Sequence, residues 1–429
     1  MMLGTNPGPR RAGAGFADAR RSPVLTPGLA DHPIFVVFLV AVLAPLIAQT
    51  RLGSRVPVVV FEVVLGIIIG PQVLQLVADH GFLAFMREVG MVAVMFMAGM
   101  EIDFARIRGR PLALGATGWL TSIAVSAAAR ARFHPLLGPA LPPTLVIALA
   151  TTGLGTLLPI LRDGGLLASP LGAMLLAAGT VGEVGPIVAA SLVLSSRFSS
   201  WQEFALLIVF LAVVALAIAL GAGLRPPKLL ALLARTMHTS TQLPVRLALL
   251  LLASLIFLSQ RFGFEAAIGA FAAGMIVGVA VRGPDGEDFR TKMDAVCFGW
   301  FAPFFFVGTG VAFDVVGLFR DLKTMLLVPV FLAMFLLARG LPAWLYRRDL
   351  PRSDLTPLAL SSSVASLGIV VVVTSVGLKS GHLRPDIAQA LIGAALLSLL
   401  VYPTATRALL ARAPAGTLPD VGMQSSRSS

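Results

Sequence analysis

A chain of 429 residues that is 57% hydrophobic and 13% charged falls outside the soluble globular class, where about 25% of residues are charged. Its formal charge of +12 comes from basic residues spread through short loops without a basic–aromatic cluster, the pattern of membrane-protein loops, and gives no sign of a nucleic-acid partner. The single cysteine, Cys297, excludes an internal disulfide and a thiolate metal site. His32, His80, His134, His238 and His382 lie in loops or at the ends of apolar runs, without metal-ligand spacing, so no cofactor or resident metal is expected.

Residues 1–30, rich in Gly, Pro and Arg, are predicted to form a disordered tail, and so are residues 413–429, since neither segment can bury enough apolar surface to fold. No small-residue cleavage site follows the first apolar run, so no signal peptide is expected. Between the tails, apolar runs of the ~20 residues needed to cross a bilayer recur about thirteen times. They fall at 32–50, 57–78, 82–100, 112–130, 142–161, 171–196, 202–223, 243–260, 264–282, 295–312, 324–346, 356–378 and 385–410. The prediction is an all-α polytopic membrane protein with one transmembrane domain over 31–412.

Marks in the first half return in the second. Span two has Phe61-Glu62-Val63-Val64-Leu65-Gly66, and span nine has Phe264-Glu265-Ala266-Ala267-Ile268-Gly269. Span three closes on Gly99 and then Asp103; span ten closes on Gly310 and then Asp314. Span five carries Ala150-Thr151-Thr152-Gly153, and span twelve Leu360-Ser361-Ser362-Ser363. The offset is 203 from position 62 to 265, 211 from 99 to 310 and 210 from 152 to 362. Each pair is an odd number of spans apart, so the copies cross in opposite directions. The expectation is two inverted-topology repeats, roughly 32–196 and 243–410, joined by a linker helix at 202–223. Such repeats hold a binding site between them near the bilayer midplane.

Spans five and twelve are crowded with residues that weaken a helix: Thr151, Thr152, Gly153, Gly155, Thr156 and Pro159 in one, Ser361, Ser362, Ser363, Ser366 and Gly368 in the other. Both are expected to break within the membrane, which is tolerated only where the freed backbone is buried in protein or lines a cavity. Unwound carbonyls and half-helix ends then offer partial charges to an ion.

Glu183, in span six, is the only charged residue between Asp163 and Arg197. A carboxylate at the centre of a span costs at least about 2.5 kcal/mol on insertion scales, which makes it a functional-site candidate. It can hold a proton or a cation and exchange one for the other. The candidate ion- and proton-binding set is Glu183 with Thr151, Thr152, Ser362 and Ser363, supported by Gly182, Gly153 and Gly368. Glu62 and Glu265 are read as near-interface or structural hydrogen-bond acceptors, and Asp103 and Asp314 as span-end residues facing water. Arg339, after the apolar run Met325–Leu337, either snorkels to the interface or turns inward, where it needs an acidic partner.

Four segments together resemble the monovalent cation:proton antiporters over roughly residues 35–410. They are Val56-Pro57 with the Phe61–Pro71 stretch, Val89-Gly90 with Phe96-Met97-Ala98-Gly99-Met100-Glu101-Ile102-Asp103, Ile268–Gly274 and Ala302–Gly308. The resemblance implies a homodimer in which a core domain moves against a dimerisation domain, with spans five and twelve unwound and crossing. It also implies an ion-binding carboxylate on span six and a basic residue on span eleven. Where the family usually shows Asp-Asp, Asn-Asp or Gln-Asp on span six, this chain has Gly182-Glu183. Glu183 takes the place of the ion-binding Asp, Gly182 that of its polar neighbour, and Arg339 is the basic residue. Two adjacent carboxylates accompany electrogenic exchange in the family and a single one electroneutral exchange, so one proton per Na⁺ or K⁺ is implied. The nucleotide-binding regulatory domain of some potassium-efflux relatives is expected to be absent.

Counting Lys and Arg in alternate loops gives roughly sixteen on the side of Arg51, Arg106 and Arg225 against nine on the side of Arg87 and Arg261, which places the first side in the cytoplasm. The N-terminus is then outside and the C-terminus inside, in a bacterial plasma (inner) membrane, although Arg10, Arg11, Arg20 and Arg21 argue the other way. An ion channel would want a continuous polar ring or filter, and transport of an organic solute would want more intramembrane polar groups than Ser and Thr. No enzymatic nucleophile–base–acid set or nucleotide loop is present.

Overall fold

The computed structural model describes residues 32–50, 56, 58–102, 107–137, 143–154, 157, 161, 165–167, 169–194, 205–206, 208–210, 212–217, 235–281, 286–320, 322–379, 381 and 383–410. Every regular element among them is a helix. In lipid each backbone N–H and C=O must bond within its own segment, so long apolar runs without a partner strand become helices.

In chain order these are α1 Pro33–Ala48, α2 Val58–Ile69, α3 Gly81–Met100, α4 Arg110–Leu137, α5 Pro143–Leu149, α6 Pro170–Leu194, α7 Leu243–Arg261 and α8 Ala266–Ala280. α9 Gly286–Val296 runs through a π turn, Cys297–Phe301, into α10 Ala302–Ala312. Then come α11 Val315–Arg320, α12 Leu322–Gly340 with a 3₁₀ extension Leu341–Arg348, α13 Arg352–Ser362, α14 Leu367–Lys379 and α15 Pro385–Leu410.

Seven stretches among the described residues are long and apolar enough to cross a membrane: α3, Arg110–Ala129 of α4, Pro170–Ala190 of α6, α7, Gly286–Ala312, Leu322–Arg348 and Pro385–Leu409 of α15. α13 and α14, bent by 40° at a short break, together make an eighth. The thirteen predicted runs therefore do not all emerge as full-length helices. α1, α2 and α8 are apolar but have only 16, 12 and 15 residues. α2 stops where Gly70-Pro71 opens a turn, and α8 starts late because Glu265 is extended at its N-cap. The predicted tails and most of the 202–223 linker lie outside the described residues, as does much of the second half of span five.

Two helix crossings depend on glycine. α3 packs on α8 and α2 on α10. A β-carbon on Gly99 would overlap the Phe271 carbonyl and one on Gly274 the Phe96 carbonyl; Gly66 stands in the same relation to Val307, and Gly310 to Val63. Small residues at such points let backbones approach closely, the main source of helix attraction where both helices and lipid are apolar. α4 packs on α6 and α12 on α15. The breaks in spans five and twelve, α6 and α12 converge on one buried polar cluster.

Candidate ion-binding site

Span five ends its first helix at Leu149 and runs irregularly through Thr151-Thr152-Gly153. The backbone turns helical again at Leu154, with Leu157 N–H bonding the Gly153 carbonyl at 3.0 Å. Span twelve does the same: α13 ends at Ser362, and α14 opens with Val370 N–H on the Ser366 carbonyl at 2.9 Å. Leu154 thus sits at the first position of a resumed helix and Ser366 at an N-cap, where donors have no partner inside the helix. Both donors turn to the same acid. Leu154 N–H donates to Glu183 Oε2 at 2.7 Å, and the Ser366 hydroxyl donates to Glu183 Oε1 at 2.7 Å. Glu183 is only 2% exposed. Helix N-termini carry positive partial charge, so the arrangement suits an anionic carboxylate.

The two breaks also hold each other. The Thr152 hydroxyl donates to the Ser362 carbonyl at 2.6 Å, and Gly153 N–H donates to the Val364 carbonyl at 2.8 Å. A β-carbon on Gly153 would stand 2.9 Å from the Ala365 carbonyl, so only glycine allows this approach. Ala365 N–H donates to the Ser398 hydroxyl of α15 at 3.0 Å. The tie to α6 comes from Pro186. Proline has no N–H, so the carbonyl four residues earlier, on Gly182, loses its helical donor. Thr152 N–H takes that carbonyl at 2.9 Å.

Arg339 turns inward and is 3% exposed. Its Nε donates to Thr152 Oγ1 at 2.6 Å, Nη1 to Ser122 Oγ of α4 at 3.1 Å and Nη2 to the Ala178 carbonyl of α6 at 3.0 Å. The acidic partner expected of an inward Arg339 does not appear among the described residues. Three neutral acceptors stand in for it, which works because a guanidinium spreads its charge over several donors.

Several predicted site residues sit differently from one another. Thr151 Oγ1 donates to the Ala148 carbonyl at 2.8 Å and receives Ser366 N–H at 3.4 Å. Ser362 contributes its carbonyl, whereas the Ser363 hydroxyl bonds back to the Ala359 carbonyl at 2.7 Å. Gly368 opens α14 beside Met95 and Phe305. Glu62 is buried within α2 and Glu265 is exposed before α8, so the two sequence equivalents differ in environment, and neither hydrogen-bonds to the Glu183 cluster. Asp103 lies outside the described residues. Asp314 is half-buried and accepts the amides of Gln72 and Gln389 at 2.6 and 3.0 Å. Ser366, Ser122 and the Leu154 N–H are the contacts that the candidate set lacked. Ser366 stood among the helix-weakening residues of span twelve, and Pro186, four residues after Gly182, was a readable signal for the freed carbonyl.

A multi-span helical protein with a buried carboxylate between two interrupted helices is a membrane transporter by class, not an enzyme. The sequence pattern described as sodium/hydrogen exchanger, transmembrane, matches residues 38–412, and the chain belongs to that family of monovalent cation:proton antiporters. It is 26% identical over 404 residues to the putative Na(+)/H(+) antiporter YjbQ of Bacillus subtilis, covering 88% of this chain and 63% of YjbQ. With the Na(+)/H(+)-K(+) antiporter GerN of Bacillus cereus it shares 23% identity over 360 residues, 83% of this chain and 90% of GerN. The solved structure of the sodium proton antiporter MjNhaP1 from Methanocaldococcus jannaschii at pH 8 matches with a TM-score of 0.63 and 19% identity, over 90% of this chain and 99% of that one. This last likeness speaks for the fold.

Proposed function

We propose that the chain is a secondary active antiporter that exchanges Na⁺ or K⁺ for H⁺, with Glu183 as the shared site for proton and cation. The observation that carries this is the enclosure of Glu183, whose two oxygens meet only neutral donors, Leu154 N–H and the Ser366 hydroxyl. A bare carboxylate crossing a low-dielectric barrier costs several kcal/mol. The site therefore moves only when a proton or a cation neutralises it, and that restriction is what couples the two fluxes. Either load leaves the same net charge, and the charge of Arg339 travels in both directions, so exchange is electroneutral. The relatives' names include both Na⁺ and K⁺.

The movement is elevator-like: the elements around Glu183 slide against α1–α3 and α7–α10. Two observations support inverted repeats with spans five and twelve crossed at their breaks. Thr152 and Gly153 bond the Ser362 and Val364 carbonyls. Exchanging span two with nine and three with ten also maps the α2–α10 glycine crossing onto the α8–α3 crossing. The protein is a homodimer in the bacterial inner membrane, with its N-terminus outside and its C-terminus in the cytoplasm. The test is purified protein in sealed liposomes, followed for Na⁺-, K⁺- and Li⁺-driven pH change. At least one cation is expected to drive it. Silence with all three would sink this reading and leave transport of an organic solute on the same fold.

A further inference from the structure

Beyond Arg339, α12 continues as the 3₁₀ helix Leu341–Arg348. With three residues per turn, side chains at i, i+3 and i+6 line up along one edge. The helix packs on α4 and α13 and buries the edge of Ala343 and Tyr346. The edge of Leu341, Trp344 and Arg347 is exposed, Leu341 at 56% and Trp344 at 67%, and Leu345 and Arg348 are exposed beside it. Arg339 lies in the cluster at the helix breaks, and at ~2 Å per residue Arg347 and Arg348 stand roughly 16–18 Å further along. Half of a ~30 Å hydrocarbon core is about 15 Å. The edge therefore passes from acyl-chain depth at Leu341, through the zone where Trp is enriched, to headgroup level at the two arginines. The neighbouring α13, Arg352–Ser362, gives a matching depth, since its 11 residues span about 16 Å between that level and the break.

The Arg347 guanidinium stacks on its neighbour, with Cζ 4.3 Å from the centre of the Trp344 ring. Stacking fixes the plane of the guanidinium and leaves its N–H edges free for oxygens. The acids close by in the chain are engaged. Asp349 accepts Arg110 Nη2 at 3.0 Å, and Asp354 accepts the Ser353 hydroxyl at 3.1 Å. Among the described residues neither Arg347 nor Arg348 pairs with a carboxylate. We propose that this edge seats an anionic phospholipid of the leaflet at this end of α12, with Arg347 and Arg348 on the phosphate and Trp344 along the glycerol and upper acyl chain. The arginine fork matches phosphate oxygens two at a time. Such a lipid pins the far end of α12, the helix that carries Arg339 to the Glu183 cluster. The seat is independent of the exchange reading, since binding needs no transport.

Full-length protein in detergent tests this, titrated with phosphatidylglycerol or phosphatidylcholine and followed by native mass spectrometry and thermal unfolding. Wild type should bind phosphatidylglycerol more tightly than phosphatidylcholine and melt higher with it. Arg347→Gln combined with Arg348→Gln should weaken phosphatidylglycerol binding by about thirtyfold and lose the extra melting shift. A control pair, Arg235→Gln with Arg246→Gln, removes two exposed arginines elsewhere and should keep both. Trp344→Ala leaves every charge in place and should also weaken binding, and it decides the matter where the Gln pair fails to fold. Inorganic phosphate should not reproduce the melting shift. Phosphatidylglycerol binding that is unchanged in the folded Gln pair, or in Trp344→Ala in its place, overturns the proposal. So does an equal loss in the control pair, which would mean charge without a seat, or an equal shift with inorganic phosphate, which would mean an anion site without a lipid. The liposome exchange assay is read separately. Inactive protein that binds the lipid through Arg347 and Arg348 keeps the seat, and active protein that binds it without them keeps the exchange reading.

Discussion

Gly182 and Arg339 compete for one volume: a β-carbon on Gly182 would stand 2.7 Å from Arg339 Nη2 and 2.7 Å from Thr152 Cβ. The absence of a side chain at Gly182 is therefore what admits the guanidinium. Adding even one methyl there should displace Arg339 from Thr152 and Ala178. Gly182→Ala is expected to destabilise the protein by about 1–3 kcal/mol, the usual cost of overpacking. Thermal unfolding in detergent measures it, with Gly118→Ala as control, since a β-carbon there finds its nearest neighbour at 3.5 Å. Equal losses in the two variants would argue against the competition.

Arg339 fills three acceptors with one charge. Removing it takes a donor from Ser122 Oγ, Thr152 Oγ1 and the Ala178 carbonyl and leaves a cavity, so Arg339→Ala should cost roughly 2–4 kcal/mol. Lysine keeps the charge without the fork and should recover only part of this. The expected order of melting temperature is wild type, Lys, Gln, Ala. Indistinguishable melting of wild type and Ala would show that the three bonds contribute nothing.

Glu183→Gln should fold normally yet move no protons. The amide oxygen can accept Leu154 N–H while its NH₂ donates to Ser366 Oγ, since a hydroxyl both gives and takes. Glu183→Asp is shorter by one bond length, about 1.5 Å, and cannot reach both donors, so cation affinity should fall while proton coupling survives. Exchange assays on both variants, with circular dichroism to verify folding, check this pair. Transport by the Gln variant would remove Glu183 from the mechanism.

Voltage should not matter to the exchange. Moving one uncompensated charge is worth about 2.3 kcal/mol per 100 mV, whereas proton-loaded and cation-loaded Glu183 carry equal charge and Arg339 carries the same charge with either load. Clamping the liposome potential with valinomycin, once K⁺ has been shown not to be a substrate, should leave Na⁺-driven exchange unchanged. A current proportional to transport would mean that a second titratable group takes part, with Glu62 and Glu265 the first to replace.

The sequence reading placed Glu183 in span six and flagged both irregular spans, because an isolated charge and a cluster of small hydroxyl residues stand out in apolar text. It missed what is made by backbone. Leu154 has no side-chain signal for an N–H that binds a carboxylate, and Ser362 acts through a carbonyl that every residue possesses. The sequence marks Ser363 as a candidate and Ser366 only as a helix-weakening residue, but it is Ser366 at the N-cap that turns its hydroxyl to Glu183, while Ser363 bonds back to its own helix. Arg339 was expected to need a carboxylate because its neutral acceptors sit on α4, α6 and span five, 161 to 217 residues away in the chain.

The backbone-to-backbone link between α6 and span five hangs on a single oxygen, the Gly182 carbonyl, for which a residue 186 with an N–H would be a second donor. With proline at 186, α6 cannot use the Gly182 carbonyl, and Thr152 N–H has it without rival. Replacing the proline by any other residue would hand α6 a competing claim four positions along, and each time α6 won, the interrupted strand of backbone would slip its mooring. The position of the carboxylate relative to its two donors is thus guarded by an atom that is absent.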